Sequence, residues 1–152
     1  VEGVARPAAA ADQPRLAELA AQARAELAAQ ERGGRVFVNR EARFDVSLDG
    51  PGRVVVGEIE GAVVGYATAR TEPLGDGSVL GVVDDVYVEP EGRGVAVGEA
   101  MLGLLLEWCR GEGCIGVDAY ALPGMRETKN FFETFGFTAR LLVVHHRFDA
   151  GA

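Results

Sequence analysis

Val79-Leu80-Gly81-Val82-Val83-Asp84-Asp85-Val86-Tyr87-Val88-Glu89-Pro90, then Glu91 to Ala96, then Val97 to Glu112, is the stretch whose reading decides the fold. Up to Val88 it is apolar and β-branched except at Asp84 and Asp85, which predicts a buried strand. Pro90 has no N–H for a sheet ladder and ends it. The turn that follows has tiny side chains at Gly92, Gly94, Ala96 and Gly98. Such a chain brings several backbone N–H groups close to an anion, with the positive end of the next helix behind them. It is a place to hold a phosphate.

Working outward, Ala62–Thr71 and Arg53–Glu60 precede the strand as a hairpin turning at Glu60-Gly61, so three strands form an antiparallel meander. Val97 to Arg110 is apolar nearly all round and must be a packed helix. Cys114 to Ala121 reads as the next strand, parallel to the Val79 strand through a crossover. A last helix spans roughly Arg126 to Phe135 with Gly136 as its left-handed cap, and Phe137 to Phe148 reads as a closing strand. At the other end, Val1 to Pro7 is a short first strand, and Asp12 caps a helix to about Arg32 with Leu16, Leu19, Ala20, Ala23 and Leu27 on one face. Val36-Phe37-Val38 fits either a strand or the buried side of a short helix. The whole is one mixed α/β domain, residues 1–152.

Two familiar phosphate loops do not fit. A Walker loop needs a Lys after its glycines, and none follows here. A dinucleotide fingerprint needs Gly-x-Gly-x-x-Gly, but after Gly92 and Gly94 the third glycine falls one residue late, at Gly98. The stretch instead resembles the acyl-CoA-binding motif of the GNAT-type N-acetyltransferase superfamily: a strand ending in Val-x-Pro, then Arg/Gln-x-x-Gly-x-Gly/Ala opening a helix, here Arg93-Gly94-Val95-Ala96-Val97-Gly98. The central glycine is replaced by Ala96; in a left-handed backbone that costs ~1–2 kcal/mol. Thr128 to Phe137 resembles the second motif of the superfamily, with Phe131, Glu133 and Gly136-Phe137 at matching positions. Phe132 stands where many members carry a tyrosine that protonates the leaving thiolate, and Met125 where a coenzyme-contacting asparagine often lies.

The resemblance implies a GNAT-like sheet, with helices on both of its faces, whose parallel central strands splay to admit acetyl-CoA. Backbone groups of Val86, Tyr87 and Val88 would bond the pantetheine arm like an added strand. Arg93, Gly94, Val95, Ala96, Val97, Gly98 and Glu99 would hold the pyrophosphate, and Phe131 would border the site. A primary amine would then attack the thioester directly through a tetrahedral intermediate, its oxyanion stabilised by the Val86 amide. The amine must first lose a proton, since a lysine-like amine has a pKa of ~10.4. Asp84 and Asp85 are candidate bases, although an ion pair with a nearby Arg explains them equally well. Strand alternation puts them on opposite faces unless a bulge intervenes. Tyr120, sharing a strand face with Asp118, is a candidate acid in place of Phe132; the bland reading is a half-buried tyrosine. His145 and His146 should face opposite ways on the closing strand, in structural roles without a metal.

A net charge of −8 argues against a nucleic-acid partner and suits a cationic amine. No apolar run is long enough to cross a membrane, no leader pattern opens the chain, and Cys109 and Cys114 lack ligand spacing. These point to a cytoplasmic protein with reduced thiols and no metal; a homodimer is compatible with them. The acceptor, a small molecule or a protein amine, is not selected by any residue. Two other readings stay open: a non-catalytic acyl-CoA-binding regulatory module on the same fold, and a nucleotide-binding α/β domain of another class.

Overall fold

Apolar β-branched runs assemble a five-stranded sheet in the computed structural model, which describes residues 3–94 and 96–148. The strands, in spatial as in chain order, are β1 (Gly3–Pro7), β2 (Arg53–Ile59), β3 (Ala62–Pro73), β4 (Val79–Val88) and β5 (Val117–Asp118). The first four are antiparallel and β5 is parallel to β4. The β2–β3 turn holds Glu60 at φ 50° and Gly61 at φ 81°, the two left-handed residues that a two-residue hairpin loop needs to match strand twist.

Helices cover both faces: α1 (Gln13–Ala28) and the short α2 (Gly34–Asn39) on one side, α3 (Val97–Gly111) and α4 (Arg126–Thr134) on the other. Alternation along β2 explains the partition. Val54 and Val56 pack with Tyr66, Tyr87 and the α1 residues Leu16, Leu19, Ala20 and Ala23. Val55 points the other way, onto Val97, Met101, Leu102, Leu105 and Cys109 of α3 and Phe132 of α4. α3 lies very close to the sheet at Gly57, where an added Cβ would come within 2.4 Å of Val97 Cγ1 and 3.1 Å of Met101 Sδ.

Several expectations change. Asp12 does not cap α1: it ends a 3-10 turn (Ala10–Asp12) in helical conformation, and its carboxylate accepts from the Ala9 N–H at 2.8 Å and from Arg6 at 2.7 and 3.0 Å. The Arg6 hydrogen bond holds that carboxyl below its usual pKa. Helix α1 stops at Ala28 rather than near Arg32, because the chain folds back so tightly that a Cβ on Gly34 would lie 2.5 Å from Leu27 O. The segment around Val36 is helical. β1 begins at Gly3, Val1 and Glu2 lying outside the described residues. The strand expected over Cys114–Ala121 shrinks to Val117–Asp118, because β4 offers it no partner beyond Val82. The closing strand expected over Phe137–Phe148 does not form among the described residues; Leu141 to Val144 and Phe148 are exposed, and so are both histidines. With no sheet beneath them, one histidine cannot be buried against the other's exposure; His146 meets only the Phe148 ring edge-on, at 5.1 Å, among the ring contacts of the described residues.

Both cysteines are free thiols, and burial pushes Cys109 up to about 11. No helix among the described residues is long and apolar enough to cross a membrane.

Two substitutions test this packing in urea unfolding. Gly57→Ala is expected to destabilise by ~1–3 kcal/mol, because buried β-branched Val97 has nowhere to retreat; an unchanged midpoint would mean that α3 sits farther from β2. Ala96 has φ 63°, so Ala96→Gly is expected to stabilise by up to about 1 kcal/mol, the left-handed strain outweighing glycine's extra unfolded-state entropy. Destabilisation would contradict the left-handed geometry.

Candidate active site

The site grows from a single irregularity. Pairing between β3 and β4 runs Gly65–Val88, Tyr66–Tyr87, Ala67–Val86, Thr68–Asp85, and then Ala69–Val83, leaving Asp84 as an extra residue on β4. A bulge bends a strand and re-aims its side chains. Asp84 and Asp85 therefore do not take opposite faces. Both reach partners from residues 43–44 and from the polar side of β3: Asp84 meets Arg70 Nε at 3.0 Å and Arg43 Nε at 3.8 Å. Asp85 accepts from Thr68 Oγ1 at 3.2 Å and from the Phe44 backbone N–H. Phe44 itself has φ 51°, an uncommon conformation for an aromatic residue.

The surroundings separate the two acids. Burial raises the Asp84 carboxyl, and its arginine partners oppose that rise. Asp85 is more deeply desolvated and has no cation at hydrogen-bond distance among the described residues; burial pushes it up to about 6. Tyr66 lies beneath, its hydroxyl buried and without a hydrogen-bond partner among the described residues, and the field of Asp85 adds to burial in raising its phenol far above the usual range. Thr68, Arg70, Arg43 and Tyr66 were not singled out by the sequence reading. The available signal was Thr68 and Arg70, polar at period two after the apolar run Ala62 to Ala67 of β3.

β4 and β5 part just before the bulge. β5 pairs only with Gly81 and Val82, supported by Gly81 N–H to Gly116 O at 2.9 Å and Ile115 N–H to Val79 O at 2.8 Å. Val86, Tyr87 and Val88 are laddered to β3 on one side and unladdered on the other among the described residues. The Glu89 N–H donates to Val64 O on β3 at 2.9 Å, so alternation turns the backbone groups of Val88 and Val86 toward the open edge. Arg93 is held at that edge. Its Nε donates to Val88 O at 2.7 Å, its Nη2 pairs with Glu26 at 3.0 Å, and its guanidinium lies 5.6 Å from the Tyr87 ring centre. The Tyr87 hydroxyl donates to Glu26 at 2.6 Å, and burial is the main cause of its phenol rising to about 12.

From there the chain makes a 3-10 turn (Pro90–Gly92), passes Gly94 at φ 90°, and enters α3 through Ala96 at φ 63°. Val95 lies outside the described residues. An alanine methyl supplies no capping oxygen, so Ala96 leaves the first-turn amides of Val97, Gly98 and Glu99 to partners from elsewhere. With the helix dipole behind them they favour an anion. Phe131 of α4 closes this corner: a Cβ on Gly98 would meet its ring at 3.3 Å and the Val88 side chain at 3.9 Å. The two sequence motifs thus converge on one spot. Phe132 is buried against Phe137, ring centres 5.3 Å apart, and takes part in packing alone. Tyr120 lies past the end of β5, more than a third exposed, its ring edge-on to Phe37 at 6.1 Å. Arg70 and Asp84 both act on its hydroxyl electrostatically, which places it on the side of the acid pair, and burial raises its pKa. Asp118, expected on the same strand face, is forked by Arg140. No cluster of metal-ligating side chains occurs among the described residues.

Comparison with known proteins agrees with this architecture. The model of the acetyltransferase (GNAT) family matches residues 16–137. Glucosamine 6-phosphate N-acetyltransferase of Trypanosoma brucei brucei is 33% identical over 81 residues, 52% of this chain and 53% of the relative, so the chain spans about half the length of the curated relative it matches. Glucosamine-6-phosphate N-acetyltransferase from Arabidopsis thaliana superposes with a TM-score of 0.68 at 22% identity, over 98% of this chain and 100% of that one. AAC(6')-Iy in complex with the bisubstrate analog CoA-S-monomethyl-acetylneamine superposes at 0.69 with 16% identity, over 97% of this chain and 98% of that one. At these identities the structural likeness is one of fold, and the family match extends through both motifs, from α1 to Phe137. The chain belongs to the acetyltransferase (GNAT) family.

Proposed function

We propose that the chain transfers an acetyl group from acetyl-CoA to a primary amine by direct attack of the amine on the thioester. The observation that carries this reading is the open β4 edge from Val83 to Val88 running into the uncapped first turn of α3. Acetyl-CoA, when bound, supplies the activated acetyl group. The chain's own groups do the rest. The first-turn amides of α3 and Gly94 hold the diphosphate. Val86 and the Val88 N–H receive the pantetheine arm in the manner of an added strand, the Val88 carbonyl being taken by Arg93. The Val86 N–H stabilises the oxyanion that develops on the acetyl oxygen.

Asp85 takes the proton from the ammonium, directly or through one water. A carboxyl raised to about 6 is ionised at pH 7 and closer to the amine's pKa than an ordinary aspartate. Asp84, clamped by Arg70 and Arg43, positions that side of the bulge and presents negative charge to a cation. Tyr120 is the acid available to the leaving thiolate, a modest demand since thiols have a pKa of ~8.5. An amino sugar phosphate heads the list of acceptors because the curated relative is named for one. A non-catalytic coenzyme-binding module is the second reading, favoured by the buried Phe132 in place of a proton donor.

Thiol release from acetyl-CoA over a panel of amino sugars, polyamines and peptide N-termini tests the reading; coenzyme binding with no turnover would transfer the chain to the second one. Stabilisation by NAD or ATP and not by CoA would remove both. Asp85→Asn is expected to lower kcat/KM by ~10²–10⁴-fold and to abolish the acid limb near pH 6. The folded pKa lies above the unfolded one, so the wild-type carboxyl favours folding below pH ~4 and loses that contribution as pH rises through about 6. The variant should therefore gain thermal stability relative to wild type at pH 8. An unchanged rate would exclude Asp85 as base. Gly94→Glu is expected to weaken acetyl-CoA binding in calorimetry at least tenfold beyond Gly94→Ala, which shares its φ 90° strain without the charge; equal affinities for the two variants would mean that no diphosphate lies there.

A further inference from the structure

The apolar stripe of α1 is flanked by a polar one. Arg15, Gln22 and Glu26 follow one another along α1 at helical spacing, and all three reach the far end of β4 or the turn behind it. Arg15 Nη2 pairs with Glu89 at 2.8 Å, while its Nε donates to Val63 O on β3 at 3.0 Å. The Tyr87 hydroxyl lies 3.3 Å from Gln22 Oε1 and 2.6 Å from Glu26 Oε2. Glu26 receives Arg93 Nη2 on both carboxylate oxygens, at 3.0 and 3.2 Å.

Arg93 is the sole cation from Glu89 to Glu99, a run that also carries Glu91. Its guanidinium is drawn to the face of the sheet that α1 covers, against the Tyr87 ring, whereas Val97 in the first turn of α3 packs on the other face. Its Nε holds Val88 O, the last carbonyl of β4. The pair with Glu26 is 46% exposed on both sides and so adds little to folding. What it fixes is a direction. The turn has little stiffness of its own, since it passes through Gly92 and through Gly94 at φ 90°. A brace from outside the turn is therefore what sets its course.

We propose that Glu26 is a positioning residue for the coenzyme. By clamping Arg93 on the α1 face it sets the path of the chain through Gly94 into α3 and, through Val88 O, the point at which the pantetheine arm stops pairing with β4. This rests on the coenzyme site proposed above. Without Glu26 the guanidinium can leave Val88 O for the carboxylates of its own turn. The turn must then be ordered at the moment of binding, and that ordering subtracts from affinity.

Calorimetry of the full chain with CoA tests the clamp without an acceptor. Glu26→Ala is expected to raise the Kd by about three- to tenfold. Glu26→Gln, which keeps an oxygen for Arg93 and Tyr87 but no charge, should raise it less. In an Arg93→Ala background, Glu26→Ala should change nothing further, a non-additivity that a glutamate acting elsewhere in the fold would not show. Both Glu26 variants should keep the wild-type thermal transition; if Glu26→Ala melts early, Glu26→Gln alone carries the comparison. Wild-type affinity in both Glu26 variants, or tighter binding, would overturn the proposal. So would a loss that persists undiminished in the Arg93→Ala background. A wild-type chain that binds no CoA would remove the coenzyme site itself, and this inference with it.

Discussion

Strand β4 presents more peptide groups than its neighbours satisfy. β3 ladders it from Val79 to Val88, whereas β5 meets only Gly81 and Val82. Backbone polar groups in an apolar sheet require partners, so the remaining edge must be filled by solvent or by something that pairs as a strand does. The extra residue at Asp84 is where the register shifts and where β4 and β5 have already parted. The first turn of α3, without a side-chain cap, continues that edge beyond the turn after Pro90. The gap between strands and the first turn of α3 thus lie at the two ends of one unpaired stretch of chain.

The same bulge governs the electrostatics. Two adjacent carboxylates on a strand would ordinarily divide between the faces, and one of them would enter the apolar core under α3. With Asp84 inserted, both reach the side of the sheet lined by Thr68, Arg70 and the 43–44 segment. The arginines partly offset the desolvation of Asp84. Among the described residues Asp85 receives a hydroxyl and an amide, which stabilise its charge less than a cation does. Position on one bulge therefore separates an arginine-clamped acid from a more deeply desolvated one, and the left-handed Phe44 supplies an amide to the second.

The edge of the sheet carries a related imbalance. Leu141 to Val144 have the composition of an interior strand and the exposure of a surface loop.

The amino-acid sequence alone determined the order of strands and helices from β2 to α4, the glutamate–glycine hairpin, the apolar stripe of α1, the motif after Pro90 and its companion at Phe131–Phe137, because these rest on local periodicity and turn chemistry. It also located the acids, and it raised a bulge as the one thing that would undo their alternation. Only the tertiary structure decided that the bulge is there, that among the described residues Asp84 meets two arginines and Asp85 none, and that Tyr120 shares their side. It likewise decided that Arg93 is engaged with Glu26, Tyr87 and Val88, and that β5 is two residues long. Strand length and ionisation state depend on what lies across the ladder and above the side chain. Those neighbours are distant in the chain, Glu26 from Arg93 and Phe44 from Asp85, and no local pattern encodes them.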